Sequence, residues 1–376
     1  MRNKSSMTVA RDGEHLDDIM NRPFSSANIN SASGLNFDHL DAMLAPIGIW
    51  QHAQGSIPHE KFGFSIDDEA RGLIVALQHW HEGIQKPFSA RLGKICFDFI
   101  VNAALDGPNL GLYHNFCDAN GKWLDPIGSS DSFGRTVWGL GVAYRHDSPF
   151  APRSKAEPLL RNSLQRTEEL DYLRSKAFVI LGLSASGVDN ALLMKLANEL
   201  AASYSGNCVD DWDWFEDQLT YCNARLPQAM FSAALAFPAV SAYANIGTSS
   251  LDFLLRVSKT SQGTYAPIGN APMSSDGWFK RGQERPPLFD QQPVDAGALV
   301  ECCCLAYQVT GLARFKQAAL DAFSWYLGNN IHGIAVYKAD NGGVSDAING
   351  RGISQNQGAE SVLSFHLAVQ ALNTII

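Results

Sequence analysis

Five acidic residues whose carboxyl groups could act as acids or bases lie at or near the starts of apolar segments of this 376-residue sequence. They are Asp68, Asp131, Glu216, Asp295 and Glu360. Cleavage of a glycosidic bond uses two carboxyl groups: one protonates the leaving oxygen, and the other activates water or attacks the sugar carbon. Carboxyl groups at different depths of one site can differ in pKa and so divide these roles. The sequence leaves open which two of the five form the pair.

A structural role as helix caps is the alternative for some of these residues. Carboxylates such as Asp67 and Asp131 are favoured at the amino ends of helices, where free N–H groups and the helix dipole stabilise negative charge. A cap does not need the arginines that follow. Arg71 lies three residues after Asp68 and Arg135 four after Asp131, which places each pair on one helical face. We therefore predict that both arginines bind substrate.

The segment 211–225 interleaves acidic and aromatic residues. Indole faces stack on the C–H faces of pyranose rings, and carboxylates and amides hydrogen-bond sugar hydroxyls, so this composition indicates a sugar subsite. A surface loop with its tryptophans on the core is the alternative. Together with side chains that precede the last two apolar segments, the predicted substrate-binding set is Trp212, Trp214, Tyr221, Asn223, Arg225, Gln292, Asn356 and Gln357.

Six apolar segments, each with polar residues at its start, predict the elements that position these side chains. They begin at Asp67, Asp131, Leu173, Cys222, Val294 and Gln357. Helices that are apolar all round are buried, whereas the stretches between these segments are amphipathic. An inner ring of six helices wrapped by an outer ring meets this pattern, so we predict an all-α fold, an (α/α)6 toroid of six helical hairpins. A solenoid of helix pairs would have amphipathic helices throughout.

The predicted domain organisation is an amino-terminal arm and one barrel. Residues 1–35 are polar and rich in Ser and Asn, which favours a flexible arm. Residues 36–376 would form a single (α/α)6-barrel domain with irregular loops over the site. One outer helix must come from the ends of this range, either from residues 37–50 or by a contact with the carboxyl end.

Composition excludes several classes of protein. Net charge is −9 and cations are scattered, so nucleic acid is not expected as a partner. No segment is long and apolar enough to span a membrane, and the amino end has no apolar core of signal-peptide length. Seven cysteines without a CxxC pair, and histidines without ligand spacing, predict no metal site, no cofactor and a cytoplasmic location.

A set of motifs extends this interpretation. The chain resembles uncharacterised bacterial domains of the six-hairpin glycosidase-like superfamily over about residues 60–370, in the strings SIDDEARGLI, SSDSFGRTVWGLG, WFEDQLTYCNARLPQA, QQPVDAGALVE and NQGAESVLSFHLA. The resemblance implies an (α/α)6 barrel with a carbohydrate site at the helix amino ends, and a polysaccharide-pathway glycosyltransferase as partner. It implies no catalytic assignment. The chain departs from the pattern at Glu69 and Cys222, where asparagine and aspartate are expected.

Three functions follow from these observations. A glycoside hydrolase acting on a bacterial poly- or oligosaccharide is the one we predict. A non-catalytic glycan-binding or accessory partner of a glycosyltransferase is the first alternative. The second is a sugar epimerase on the same barrel, whose acid and base would be histidines; His81, His114 or His366 would then have to line the site, and no motif places them there.

Overall fold

The computed structural model describes residues 35–270 and 278–376, and helices form most of this part of the chain. The predicted arm therefore lies outside the described residues, apart from Leu35. The α-helices are α1 Asp38–Ala42, α2 Ile66–Glu82, α3 Lys86–Ala103, α4 Ser130–His146, α5 Arg153–Leu164, α6 Leu173–Ser186, α7 Asn190–Asn207, α8 Arg225–Ala236, α9 Ser241–Val257, α10 Pro293–Thr310, α11 Ala313–Ser324 and α12 Ala359–Asn373.

The even-numbered helices form a closed inner ring. Each packs on the next even-numbered helix, and α12 packs back on α2. The odd-numbered helices α3 to α11 pack on the outside, each against the inner helix that precedes it, and the short α1 packs on α12 to complete the sixth hairpin. The predicted (α/α)6 toroid is confirmed. The missing outer helix comes from residues 37–50, one of the two sources that the sequence left open.

Burial explains why these sequences divide into two rings. In α10 every residue from Pro293 to Cys304 is buried, so the helix has no face for solvent. In the outer helix α11 the buried residues are Phe315, Ala319, Ala322 and Phe323, which recur at intervals of three and four as in a helix with one wet face.

Two glycines bring the inner helices α4 and α6 into backbone contact. A Cβ atom on Gly182 of α6 would lie 2.6 Å from the carbonyl oxygen of Val137 in α4, and one on Gly141 would collide with the Gly182 carbonyl. Only residues without a side chain permit this approach. It fixes the spacing of the two helices along their middle turns.

All long loops lie at one end of the barrel. Inner helices lead to outer helices through short connections such as 83–85, 187–189 and 311–312, whereas the connections back to inner helices are long, as at 104–129 and 258–292. The long loops hold four antiparallel ladders of two-residue strands: β1 Ala53–Gln54 with β2 Ile57–Pro58, β3 Phe64–Ser65 with β4 Phe116–Cys117, β5 Gln218–Leu219 with β6 Phe279–Lys280, and β7 Ile348–Asn349 with β8 Gly352–Ile353. This end, where the inner helices begin, is the barrel mouth.

Two further features bear on the sequence predictions. All seven cysteines are free thiols. Within residues 35–270 and 278–376, no helix combines the length and the apolar character that a membrane crossing requires.

Candidate active site

Serines, not aspartates, cap the first two inner helices. The Ser65 hydroxyl accepts a hydrogen bond from the Asp67 N–H at 3.3 Å, and the Ser129 hydroxyl accepts one from the Ser132 N–H at 3.1 Å. Because the caps are already supplied, the carboxylates of Asp67 and Asp131 are available for other interactions. Asp67 and Asp131 are therefore not the N-cap residues, although both lie in the first turn of their helices.

Arg71 joins the starts of α2 and α12. Its guanidinium donates to Asp68 Oδ1 at 3.2 Å and to Glu360 Oε1 at 2.5 Å. Arg71 and Asp68 are buried, whereas the Glu360 side chain is 44% exposed. Two predicted catalytic residues and a predicted substrate-binding residue thus form one charge-assisted group at the mouth.

Arg135 joins the starts of α4 and α2 to the segment before α8. Its Nε atom lies 3.2 Å from Asp131 Oδ2 and 3.5 Å from Asp67 Oδ1, and its Nη2 donates to Cys222 Sγ at 3.4 Å. The guanidinium also stacks 4.1 Å from the centre of the Phe178 ring. The thiol that replaces the expected aspartate at Cys222 therefore occupies a position beside a buried arginine.

Asp295, at the start of α10, is a buried acid without an arginine partner in the described residues. Its Oδ1 accepts the backbone N–H of Cys222 at 2.7 Å, and Cys222 itself has a left-handed backbone with φ of 47°. Burial raises the pKa of Asp295 to about 7, and the negative charge of Glu360 contributes to the shift. Burial likewise raises the pKa of Asp68 to about 7.

These groups constitute one site at the barrel mouth, which we call the central cluster. Its members share short polar contacts or act electrostatically on one another, and they are Asp67, Asp68, Arg71, Asp131, Arg135, Cys222, Asp295 and Glu360. Four of the five predicted catalytic residues belong to it. Burial raises the pKa of Asp68 and Asp295 in this cluster, whereas Glu360 is partly exposed and paired with Arg71, so carboxyl groups in different environments lie in one site.

The fifth predicted carboxylate, Glu216, lies next to the central cluster. Arg174, at the start of α6, donates to Glu216 Oε2 at 2.7 Å, to the Tyr221 carbonyl at 2.6 Å and to Asn223 Oδ1 at 3.1 Å. The Tyr221 hydroxyl in turn donates to Asp131 Oδ1 at 3.1 Å. Arg174 therefore holds the segment before α8 against the mouth.

A cavity of about 440 Å³, which we call the side cavity, opens here between the starts of α4 and α6. Its lining residues combine carboxylates, hydroxyls and aromatic rings: Ser129, Ser130, Asp131, Tyr172, Arg174, Ser175, Glu216, Gln218, Thr220, Tyr221 and Trp278. Asp131 belongs to both the side cavity and the central cluster, so the two adjoin at this residue.

The predicted tryptophan subsite is not found in this structure. Trp214 is fully buried, and its ring packs on Phe215 and Phe253. Trp212 is also buried against Phe253, and its Nε1 donates to the Glu216 carbonyl at 2.7 Å. Rings enclosed by protein have no face left for a sugar, so the alternative of tryptophans on the core is the correct one.

Four other predicted binding residues have partners within the protein. Asn223 accepts from the Thr220 N–H as well as from Arg174, and the buried Arg225 donates to Glu301 at 2.6 Å. Asn356 Oδ1 accepts from the Gly55 N–H, and Gln357 Oε1 accepts from Asn341. These contacts are structural: they connect loops to one another or pair charges inside the barrel. Gln292 is half-buried directly before α10.

The histidines of the epimerase alternative lie outside the central cluster. His366 and His79 are buried and paired, with Nδ1 and Nε2 3.1 Å apart. His81 contacts the His146 carbonyl at the far end of α2, and His114 contacts the Asp125 carbonyl in a loop.

Of the residues that line the side cavity, only Asp131, Glu216 and Tyr221 were predicted from the sequence, and three of those that were missed have large side chains. Tyr172, Trp278 and Arg174 line the side cavity. Of these, only Arg174 could have been recognised from the local sequence. A cation in the first turn of a helix is disfavoured by the helix dipole, so its presence there indicates a specific interaction. Within the described residues, no group of three or more His, Cys, Asp or Glu side chains could hold a metal ion.

The fold is shared with solved structures of sugar enzymes. A sugar epimerase from a ruminal bacterium is 11% identical, with a TM-score of 0.72 over 93% of this chain and 99% of that one. A cellobiose 2-epimerase from Spirochaeta thermophila is 13% identical, with a TM-score of 0.70 over 94% and 96%. An α-1,6-mannanase from Salegentibacter sp. is 11% identical, with a TM-score of 0.61 over 93% and 98%. No family model and no curated protein matches the chain.

Proposed function

We propose that this chain is a glycoside hydrolase that cleaves a bacterial poly- or oligosaccharide, with Asp295 as general acid and Glu360 as base or nucleophile. The observation that supports it best is the placement of a buried carboxyl group and an exposed, arginine-held carboxylate at the same barrel mouth. Glycosidic cleavage requires such a pair.

Asp295 suits the acid role because a general acid must hold its proton near the working pH. Burial raises its pKa to about 7, and its hydrogen bond from the Cys222 N–H fixes the orientation of the carboxyl group. Asp68 has a similarly raised pKa, but its Oδ1 is hydrogen-bonded to Arg71, which favours the ionised form. The Cys222 N–H likewise favours the ionised form of Asp295, but Asp295 has no salt bridge within the described residues, and we therefore assign the acid role to it.

Glu360 suits the base or nucleophile role because it is accessible and oriented. The bond from Arg71 fixes one carboxylate oxygen, and 44% of the side chain is exposed to a substrate or to water. Asp67 and Asp131, which share Arg135, lie at the same mouth and offer acceptors for sugar hydroxyls. The similar mannanase and epimerases are described as acting on sugars, which fits this reading.

A sugar epimerase is the second candidate, because epimerase structures align with higher TM-scores than the mannanase does. It is disfavoured by the positions of His81, His114 and His366 outside the central cluster. The third possibility is a non-catalytic glycan-binding partner of a glycosyltransferase. Such a protein would bind its glycan at the same barrel mouth but would not require an acid–base pair.

The test is incubation of the pure protein, and of Asp295→Asn and Glu360→Gln variants, with a panel of bacterial exopolysaccharides and oligosaccharides. New reducing ends and products are read by chromatography. Cleavage by the wild-type protein that is lost in both variants would support the hydrolase. An isomerised sugar without cleavage would establish the epimerase instead, and binding without any product would establish the accessory role.

A further inference from the structure

We propose that the contact of α12 with α2 and α1, which we call the ring seam, is an acid-sensitive closure that holds the inner ring together at neutral pH and opens in acid. Because α12 carries Glu360, opening of the seam withdraws this carboxylate from the barrel mouth. The closure itself is inferred from the packing of the helices. Its effect on cleavage rests on the proposed function and adds a form of regulation to it.

All the histidines that are buried in residues 35–270 and 278–376 lie at the ring seam. They are His39 of α1, His79 of α2 and His366 of α12, each at most 2% exposed. His79 Nε2 and His366 Nδ1 are 3.1 Å apart, and His39 Nε2 lies 2.7 Å from the carbonyl oxygen of Gln357, directly before α12. The seam therefore concentrates the side chain type that gains charge between neutral and acid pH.

The pair of His79 and His366 cannot accept protons without loss of its bond. While both rings are neutral, one of the facing nitrogens donates to the other. The opposite nitrogens, His79 Nδ1 and His366 Nε2, are buried and have no hydrogen-bond partner within the described residues. A first proton therefore creates a buried N–H without an acceptor, which is unfavourable. A second proton places two N–H groups against each other, so the bond between the helices becomes a repulsion.

An aromatic wall keeps water from the histidine pair. The ring of Phe37, directly before α1, contacts both imidazoles, with centroids 5.3 Å from that of His79 and 5.0 Å from that of His366. Phe37 also packs on Phe88 of α3, and both phenylalanines line a cavity of about 870 Å³. Displacement of this one ring would therefore admit water to the charged pair, which gives the seam a path to open.

Charged groups on the surrounding elements do not compensate a positive charge on the pair. Those of α1 and α3 line the cavity, where Asp41 is paired with Arg91, and those of α2 and α12 lie at the helix ends: Asp38, Asp41, Arg91, Glu82 and Glu360. Burial lowers the pKa of His79 to about 4. Burial also lowers the pKa of His366, and the charge of His79 lowers it further. Burial lowers the pKa of His39 as well, although the charge of Asp346 acts in the opposite direction.

The direction of the pH effect follows from these shifts. A histidine with a lowered pKa stabilises the fold fully above its unfolded value of 6.5, and this contribution is lost as the pH falls towards the folded value, about 4 for His79. Burial raises the pKa of Asp68, Glu69 and Asp295, so acid favours the folded form of these three carboxyl groups. They cannot cause an opening of α12 in acid.

The experiment is hydrogen–deuterium exchange of the full chain at pH 7.5, 6.5, 5.5 and 4.5, with rates corrected for the intrinsic pH dependence of exchange. We expect protection of α12 to fall about tenfold per pH unit below 6.5 for each histidine that takes up a proton, while α6 stays protected. A double variant, His79→Gln with His366→Asn, retains an amide donor and acceptor but cannot titrate. Its α12 should exchange equally at all four pH values.

A second histidine pair provides the matched control. The rings of His81 and His146 are 4.3 Å apart but lie outside the ring seam, so His81→Gln with His146→Asn should leave the pH dependence of α12 as in the wild type. Unchanged α12 protection at pH 4.5, or simultaneous loss in α12 and α6, would overturn the closure, and these wild-type results decide even where the seam variant does not fold. A seam variant that folds and keeps the wild-type pH dependence would also overturn it. Exchange needs no substrate, so failure to cleave any glycan would overturn the proposed function alone.

Discussion

Arg71 of α2 donates a hydrogen bond to Glu360 of α12 at 2.5 Å, so the first and the last helix of the inner ring meet in one ion pair at the barrel mouth. Arg71 is also bonded to Asp68 in its own helix. A carboxylate held in this way keeps a fixed orientation while 44% of its side chain remains exposed. The pair therefore orients the Glu360 carboxylate and closes the ring at one point.

Replacing Glu360 with glutamine should lower kcat by about a thousandfold, because loss of an acid–base group typically costs about 10²–10⁴ in rate. Folding should be retained, since the side chain is partly exposed and the amide oxygen can still accept from Arg71. Initial rates and thermal unfolding by circular dichroism measure the two effects. Glu199→Gln, which changes a surface glutamate paired with Lys176, is the control. Retention of a tenth of the activity in Glu360→Gln would remove Glu360 from the chemistry.

Activity should decline as the pH rises above about 7. Burial raises the pKa of Asp295 to about 7, so the proton that the leaving group needs is present below this pH and lost above it. The check is a profile of kcat/KM from pH 4 to pH 9. A profile that stays level up to pH 9 would show that Asp295 is not the general acid.

Replacing Glu216 with glutamine should raise KM about five- to tenfold and leave kcat close to its wild-type value. Glu216 lines the side cavity and is bonded to Arg174 outside the central cluster, so we expect it to affect substrate binding more than the chemical step. Steady-state kinetics on an oligosaccharide separate the two constants. A collapse of kcat at unchanged KM would instead return Glu216 to the catalytic pair.

Replacing Gly182 with alanine should destabilise the fold by about 1–3 kcal/mol or more, because the new methyl group would meet the Val137 carbonyl oxygen at 2.6 Å. Gly206→Ala is the matched control. Gly206 lies exposed in α7 with nothing near the added methyl group, so alanine should stabilise by about 0.5–1 kcal/mol. Urea unfolding curves measure both changes, and equal stabilities would contradict the close contact of α4 and α6.

Replacing Glu69 with glutamine should flatten the pH dependence of stability. Glu69 is fully buried, its Oε1 accepts the Ile49 N–H at 2.6 Å, and burial raises its pKa to about 8. A raised pKa means that its contribution is complete below the unfolded value of 4.5 and is lost as the pH rises towards 8, at about 1.4 kcal/mol per unit. The difference in unfolding free energy between variant and wild type should therefore grow with pH across this window. A constant difference would show that Glu69 is ionised in the folded chain.

The barrel could be predicted from the sequence because its inner helices have a distinct composition. The apolar segment predicted from Asp131 corresponds to α4, which begins at Ser130. Outer helices are harder to delimit. The outer helix α9 begins at Ser241, where small and polar residues hide the helical period.

The candidate site could be predicted from the sequence only in part, for a physical reason. Composition marks the polar helix starts, but the partner of Arg71 is 289 positions away and no local pattern contains it. The sequence equally does not show which way a side chain in a loop points. Trp214 and Glu216 are two residues apart, yet one is enclosed in the core and the other faces the side cavity, since packing against Phe253 decides which way the segment turns.

The sixth hairpin has a consequence for how the chain folds. Five hairpins are made of neighbouring helices and can form early from local contacts, but α1 and α12 meet across almost the whole sequence, as the 2.7 Å bond between His39 and the Gln357 carbonyl shows. Contacts of this separation are slow to form because the entropy of loop closure opposes them. Because α12 carries Glu360 to the mouth, the proposed acid–base pair would be assembled only when the ring closes. During refolding, activity should therefore recover only with ring closure, after the spectroscopic signal of the helices has returned.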